Sequence, residues 1–261
     1  MKETYPRPRP KRPQDGASAD GIIEGRNAVA EALRAGTPID KVFLLKGEVD
    51  LPLRQLANQA RQQGAVLAEV DRHKLDAMSR THAHQGIIAV AAVREYASVE
   101  DLLQAARDRG ESPLLVVCDE LSDPHNLGAV IRTAECAGAH GVIIPKRRSA
   151  GLTAVVAKTS AGAVSHLPVA RVANLPSLLK QLKKEGLWIF GAAADGPVSL
   201  YEADLKGPAA IVIGSEGSGM SRLVAETCDV LVRIPMKGKL NSLNASAAAA
   251  ILLYEAVRQR R

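Results

Sequence analysis

Asn241, Ser242, Asn244 and Ser246 crowd onto one turn of the segment RIPMKGKLNSLNASAAAAILLYEAVRQRR, between a short apolar strand and an alanine-rich helix. The first N–H groups of a helix lack partners within it. Short polar side chains there either cap the helix or join its backbone in holding a small polar ligand. A second concentration lies in CDELSDPHNLGAVIRTAECAGAHGVII. Asp123 and Pro124 can start a helix there, and Leu127, Val130, Ile131 and Ala134 keep the spacing of its buried face. Asn126 and Arg132 are its polar exceptions, and Arg132 either carries its charge to solvent or is aimed at an anion. The third is AAIVIGSEGSGMS, a strand running into a glycine-rich turn. Gly214, Gly217 and Gly219 fit neither the dinucleotide G-x-G-x-x-G pattern nor a P-loop, which argues against an ordinary NAD or nucleoside triphosphate site. Glu216 puts a carboxylate where a phosphate-binding loop does not tolerate one. The segment is therefore either a tight turn with an exposed acid or backbone laid close to a different ligand.

Side chains so far apart in sequence need a scaffold that brings loops together. The second half of the chain reads as strands at 114–118, 141–145, 169–172, 188–193, 209–214 and 230–234, with helices at 126–138, 152–163, 175–185 and from about Leu243. Short apolar strands alternating with helices predict an α/β fold, a mostly parallel sheet covered on both faces, and such sheets bind ligands beyond the carboxyl ends of their strands. The three polar segments all sit at such ends. Ahead of this domain (113–261), residues 21–93 read as a smaller α/β unit, with helices at 27–35, 51–63 and 74–78 and strands at 41–46, 65–70 and 86–93. Residues 94–112 are polar and helical in pattern and read as a linker. Residues 1–20, rich in Pro, Arg and Lys without apolar periodicity, read as a flexible basic arm.

Composition narrows the partner. The 261 residues are 46% hydrophobic, as in a protein with a real core, and 34 Lys+Arg against 28 Asp+Glu leave a net charge of +6, which favours a polyanion. Only 3% of residues are aromatic, so nucleic acid would be held by phosphate and shape more than by base stacking on a sheet. No apolar run reaches the ~20 residues of a membrane span, and the N-terminus lacks the apolar stretch of a signal peptide, from which a cytoplasmic location is expected. Cys118, Cys136 and Cys228 show no CxxC spacing and are expected to be reduced, buried side chains. His82 and His84 lack a third nearby ligand, so no metal site is expected. Ser165 and His166 lack a G-x-S-x-G elbow, which argues against hydrolase chemistry.

DPHNLGAVIRTAECAG, IVIGSEGSGMS and IPMKGKLNSLNASAA resemble, in order and spacing, the three motifs of the SpoU family of RNA ribose 2′-O-methyltransferases, within the SPOUT superfamily. The intervening KTSAGAVSHLPVARV is similar to the family segment between the first two. GIIEGRNAVAEALRAG and HQGIIAVAA resemble the small ribosomal-protein-like RNA-binding domain that precedes the catalytic domain in the large-subunit rRNA enzymes. Ala245 departs from the motif, which usually has Val there, but this removes no polar group.

The resemblance implies more than periodicity does. Chains are ordinarily unknotted, whereas the family threads its C-terminal segment into a deep trefoil knot that forms the pocket for S-adenosyl-L-methionine, and works as a homodimer. It places Asn126, Arg132, Glu216, Ser242 and Asn244 at catalytic and substrate positions and Gly214, Ile234, Met236 and Leu243 around the cofactor, with no metal. The expected substrate is structured large-subunit (23S) rRNA, at a guanosine. The alternatives are a tRNA 2′-O-methyltransferase and a non-catalytic RNA-binding protein of the same fold.

Overall fold

The computed structural model describes residues 21–47 and 50–261, and the arm expected at 1–20 lies outside them. The chain divides after Ala91 into two compact units. The first runs β1 (Ile22–Glu24), α1 (Arg26–Arg34), β2 (Ile39–Leu45), α2 (Leu51–Gln62), β3 (Val66–Val70), α3 (Arg72–Met78) and β4 (Ile87–Ala91). Asp50 caps α2 by accepting from Leu53 N, with Pro52 in the first turn, and Asp71 caps α3 by accepting from Lys74 N. The Asp71 cap is why α3 begins at Arg72 rather than at the expected Lys74. The sheet has the order β1-β4-β2-β3, antiparallel except for the β2/β3 pair. Val29, Leu33, Val42, Leu53, Ala57 and Ile87 fill its core.

The second unit runs α4 (Val99–Arg109), β5 (Leu114–Cys118), α5 (Pro124–Cys136), β6 (Gly141–Pro145), α6 (Ala154–Thr159), β7 (Val169–Val172), α7 (Leu175–Lys184), β8 (Trp188–Ala192), β9 (Val198–Ser199), β10 (Ala209–Ile213), α8 (Arg222–Thr227), β11 (Val230–Arg233) and α9 (Ala245–Gln259). Its seven-stranded sheet has the order β7-β6-β5-β10-β8-β11-β9, with every pairing parallel. Alternation along each strand sends side chains to two separate apolar layers. On β5, Leu114, Val116 and Cys118 join α5, α6 and α9 in one layer, while Leu115 and Val117 join α4, α7 and α8 in the other. The segment 94–112 carries α4, which has a Ser98/Asp101 capping box and buries Leu102 and Leu103 in the same layer as Leu115 and Ile143.

Two expectations are corrected. The helix expected over 152–163 stops after Thr159, because Ala161 (φ 50°) and Gly162 (φ 86°) turn left-handed before a short 3-10 turn at Ala163–Ser165. Cys118 is buried and Cys228 half-buried, but Cys136 is exposed, since it lies off the 127-130-131-134 stripe of α5. Burial pushes the thiols of Cys118 and Cys228 up to about 12. No described helix is long and apolar enough to cross a membrane.

Candidate functional site

β5 and β10 are neighbours in the sheet, so the loops leaving their carboxyl ends emerge side by side. The first loop leads into α5. Asp123 accepts from His125 N at 2.9 Å and Pro124 opens the helix, which places Asn126 in the first turn, 9% exposed. The second loop is the glycine turn. Ser215 and Gly219 exchange backbone hydrogen bonds at 3.0 and 2.9 Å, and a Cβ on Gly214 would overlap the backbone of Gly219 and Met220. Gly214 is therefore required by the close return of the chain, and the closed turn carries Glu216 on its rim.

The third loop, 234–244, leaves β11 and ends where Asn244 caps α9. Its Oδ1 accepts from Ser246 N at 3.0 Å and Ala247 N at 3.2 Å. The other end of the same side chain joins the other two loops. Asn244 Nδ2 donates to Asn126 Oδ1 at 2.9 Å and to Glu216 Oε1, Asn126 Nδ2 donates to Glu216 Oε1 at 3.0 Å, and Ala245 N donates to the same oxygen at 3.3 Å. Asn126, Glu216 and Asn244 thus close a ring in which every amide end and one carboxylate oxygen are used. Asn244 therefore caps α9 with one end of its amide and ties the three loops together with the other.

Arg132 and Ser242 stand outside this ring. Both are exposed, and neither has a hydrogen bond or ion pair with a described residue. Gly214 sits at the mouth of the glycine turn. Ile234, Met236 and Leu243 lie along the third loop, Ile234 half-buried against the core and the other two 37% and 38% exposed. A cleft of about 460 Å³ opens beside the ring, lined by Glu120, Ser122, Asn126, Arg148, Ser215 and Glu216 among others. Arg148 Nη1 pairs with Glu120 Oε1 across it at 2.8 Å.

Two supporting residues escape a reading of the sequence. Asp119, 4% exposed at the end of β5, accepts from Ser221 N at 2.7 Å and so pins the exit of the glycine turn. Its one signal is an acid directly after a continuous apolar strand. Gly128 lets α6 approach α5, since a Cβ there would lie 2.8 Å from Thr159 Cβ and 3.0 Å from Ser160 N. Ser165 and His166 are exposed, as is Lys158, and the described residues hold no cluster of His, Cys, Asp and Glu suited to a metal.

Known proteins match both units of the chain. Residues 113–254 match the SpoU rRNA Methylase family, and residues 22–97 match a module described as RNA 2′-O ribose methyltransferase substrate binding. YacO of Bacillus subtilis (strain 168), named for the TrmH family of tRNA/rRNA methyltransferases, is 47% identical over 238 residues, covering 91% of this chain and 95% of the relative. The SpoU methyltransferase AviRb of Streptomyces viridochromogenes, solved in complex with AdoMet, is 26% identical with a TM-score of 0.60, covering 93% of this chain and 91% of AviRb. An AdoMet-bound rRNA methyltransferase of Sinorhizobium meliloti is 26% identical with a TM-score of 0.56, covering 92% and 87%. The TrmH/SpoU tRNA modifying enzyme of A. aeolicus, 28% identical with a TM-score of 0.53, covers 57% of this chain and 76% of its own. With motif loops meeting at one sheet edge and both units matched, the chain belongs to the SpoU family of RNA methyltransferases.

Proposed function

We propose that the protein transfers a methyl group from S-adenosyl-L-methionine to a ribose 2′-hydroxyl of large-subunit rRNA, at a guanosine, as a cytoplasmic homodimer. The observation that carries this reading is the Asn126–Glu216–Asn244 ring, which unites all three motif loops. The choice of rRNA over tRNA is supported by coverage. The S. meliloti rRNA enzyme aligns with 92% of the chain, both units included in that span, whereas the tRNA enzyme aligns with 57%.

The loops fit the cofactor chemically. The glycine turn has no room for a side chain at Gly214, which leaves backbone N–H and C=O groups to meet a polar edge, and the neighbouring loop offers the apolar atoms of Ile234, Met236 and Leu243 to a flat ring. When bound, the sulfonium supplies an activated methyl and leaves as a neutral thioether. The residues must then hold the 2′-oxygen in line and ease loss of its proton. A guanidinium is a delocalised cation and a very poor proton acceptor, so Arg132 acts as a cation rather than a base. It stabilises the forming alkoxide and an adjacent phosphate, and the proton leaves to solvent or to that phosphate. Its freedom from partners among the described residues suits this role. Asn126, Glu216 and Asn244 hold the loops in register, and Ser242 meets the RNA or the second subunit.

The deep trefoil knot is part of the proposal. It rests on the family match over residues 113–254; the C-terminal helix α9 packs against α5 and β10, and the Arg260 guanidinium donates to the carbonyls of Leu205 at 2.9 Å, Ser112 at 2.8 Å, Pro113 at 3.2 Å and Gly207 at 2.5 Å. The test of substrate is transfer of labelled methyl to naked 23S rRNA, assembled subunits and tRNA in parallel. Label is expected in the rRNA, and label confined to tRNA contradicts the assignment.

A further inference from the structure

The N-terminal unit contains a cleft of its own, about 710 Å³, whose lining includes Arg26, Asn27, Asp50, Arg72, His82 and Gln85. Its wall is the 79–86 loop, which is fastened from three sides. Glu24 accepts from Ser79 Oγ at 2.6 Å, Arg80 N at 2.8 Å and Thr81 Oγ1 at 2.8 Å. His84 is buried. Its Nδ1 accepts from Gly86 N at 3.1 Å, so Nε2 carries the proton that it donates to Asp76 Oδ1 at 3.0 Å. Arg26 donates from its backbone N–H to Gln85 Oε1 at 3.1 Å, from Nε to Gln85 O at 3.2 Å and from Nη1 to Asp50 Oδ2 at 2.6 Å.

Such fastening maintains a costly backbone. His82 (φ 56°) and Gln85 (φ 51°) are left-handed without being glycine, a state that persists where the surroundings enforce it and that gathers at functional sites. Glu120 (φ 57°) and Arg148 (φ 55°), which line the cleft beside the ring, share it, as does Ala161 (φ 50°) in the turn after α6. The rigid loop and the start of α1 present groups with work left to do. Asn27, Arg72, His82 and Gln85 are exposed. The Asn27 amide, the Gln85 Nε2 and the His82 ring have no partner among the described residues, and Arg72 makes only a 3.9 Å approach to Asp76.

We propose that this cleft receives a single unpaired nucleotide of the substrate RNA, extruded from a loop or bulge. Arg72 meets its phosphate, the His82 ring stacks on its base, and the Asn27 and Gln85 amides read the base edge. The volume lies in the range of about 300–1,000 Å³ typical of small-ligand pockets. Sequence-specific RNA recognition works on such splayed bases, by stacking on His or Arg and hydrogen bonding to base edges, while phosphate contacts set position. Asp50 and Asp76 beside the two arginines would repel a run of backbone phosphates, which favours one nucleotide over the flank of a duplex. The inference takes from the proposed function only that the ligand is RNA.

The test uses the full chain, with binding of a 23S rRNA transcript and a tRNA transcript measured across salt concentrations for wild type, Asn27→Ala and Arg72→Ala. On the RNA that wild type binds more tightly, each variant should weaken binding by about tenfold. Arg72→Ala should reduce the salt slope by about one, and Asn27→Ala should leave it unchanged. Melting temperature and S-adenosyl-L-methionine affinity should stay at wild-type values. Affinities within twofold of wild type for both variants on both RNAs would overturn the proposal. Binding losses in both variants together with no methyl transfer by wild-type protein would support the cleft and contradict the proposed function, so the two fail separately.

Discussion

Glu216 ties together stretches of chain that are far apart in sequence, because one of its oxygens accepts from Asn126, Asn244 and the backbone of Ala245. Removing it strands the nearly buried Asn126 amide, and an unsatisfied buried group costs about 1–3 kcal/mol. In a unit of this size 1 kcal/mol moves the melting temperature by roughly 2–4 °C. We therefore expect Glu216→Ala and Asn126→Ala to melt a few degrees lower while turnover falls by about 10²-fold. Losses of turnover no greater than the fraction unfolded would make both residues purely structural. Arg132→Lys keeps the charge and loses the planar fork, so turnover at saturating RNA should fall by at least about tenfold. Wild-type turnover would remove the bidentate role. Asn126, Glu216 and Asn244 were legible in the sequence as polar exceptions at apolar strand ends. Asp119 was not, because its partner Ser221 lies 102 positions away and only the folded sheet brings them together.

At the scale of elements, continuous apolar strands such as β5 and β10 declare themselves, since each is buried on both faces. Short elements do not. β1 has 3 residues, β9 has 2 and α8 has 6, too few for a period to show, and pairing within their sheets is what defines the two strands. Close packing is equally hidden. A glycine inside α5 looks like a flaw of about 1 kcal/mol in helix propensity, yet Gly128 is where α6 comes closest. Gly128→Ala should regain propensity and lose more to overlap with Thr159 and Ser160, lowering stability by a net ~1–2 kcal/mol in a denaturant titration. A more stable variant would show that the approach is not tight. In the first unit, burial works against ionisation of Glu24, but its hydrogen bonds from Ser79, Arg80 and Thr81 outweigh that and hold the carboxyl at about 2, below the ordinary 4.5. A depressed carboxyl stabilises the fold above its unfolded value, and the contribution disappears as pH falls from 4.5 towards 2. Acid unfolding should therefore be less steep in that window for Glu24→Gln than for wild type, and identical profiles would show that the clamp adds no stability.

For the whole molecule, local pattern predicted a parallel α/β sheet behind a smaller α/β unit, and the strand orders confirm that arrangement. Path and assembly were not legible in the same way. A knot is a property of how the closing helix passes the rest of the chain, and a dimer depends on a second copy, so neither leaves a residue spacing to read. Both entered through family resemblance and stand as proposals. The basic balance of +6 and the substrate-binding match over 22–97 point the molecule at RNA. The match to the SpoU rRNA Methylase family over 113–254 points it at methyl transfer, which the proposed function places beside the ring. The most direct test is nucleoside analysis of unmodified 23S rRNA after incubation with the protein and isotopically labelled S-adenosyl-L-methionine. The account predicts label in one 2′-O-methylguanosine per rRNA with wild type and almost none with Arg132→Ala. Label in a base methyl group, or incorporation that survives loss of Arg132, would contradict it.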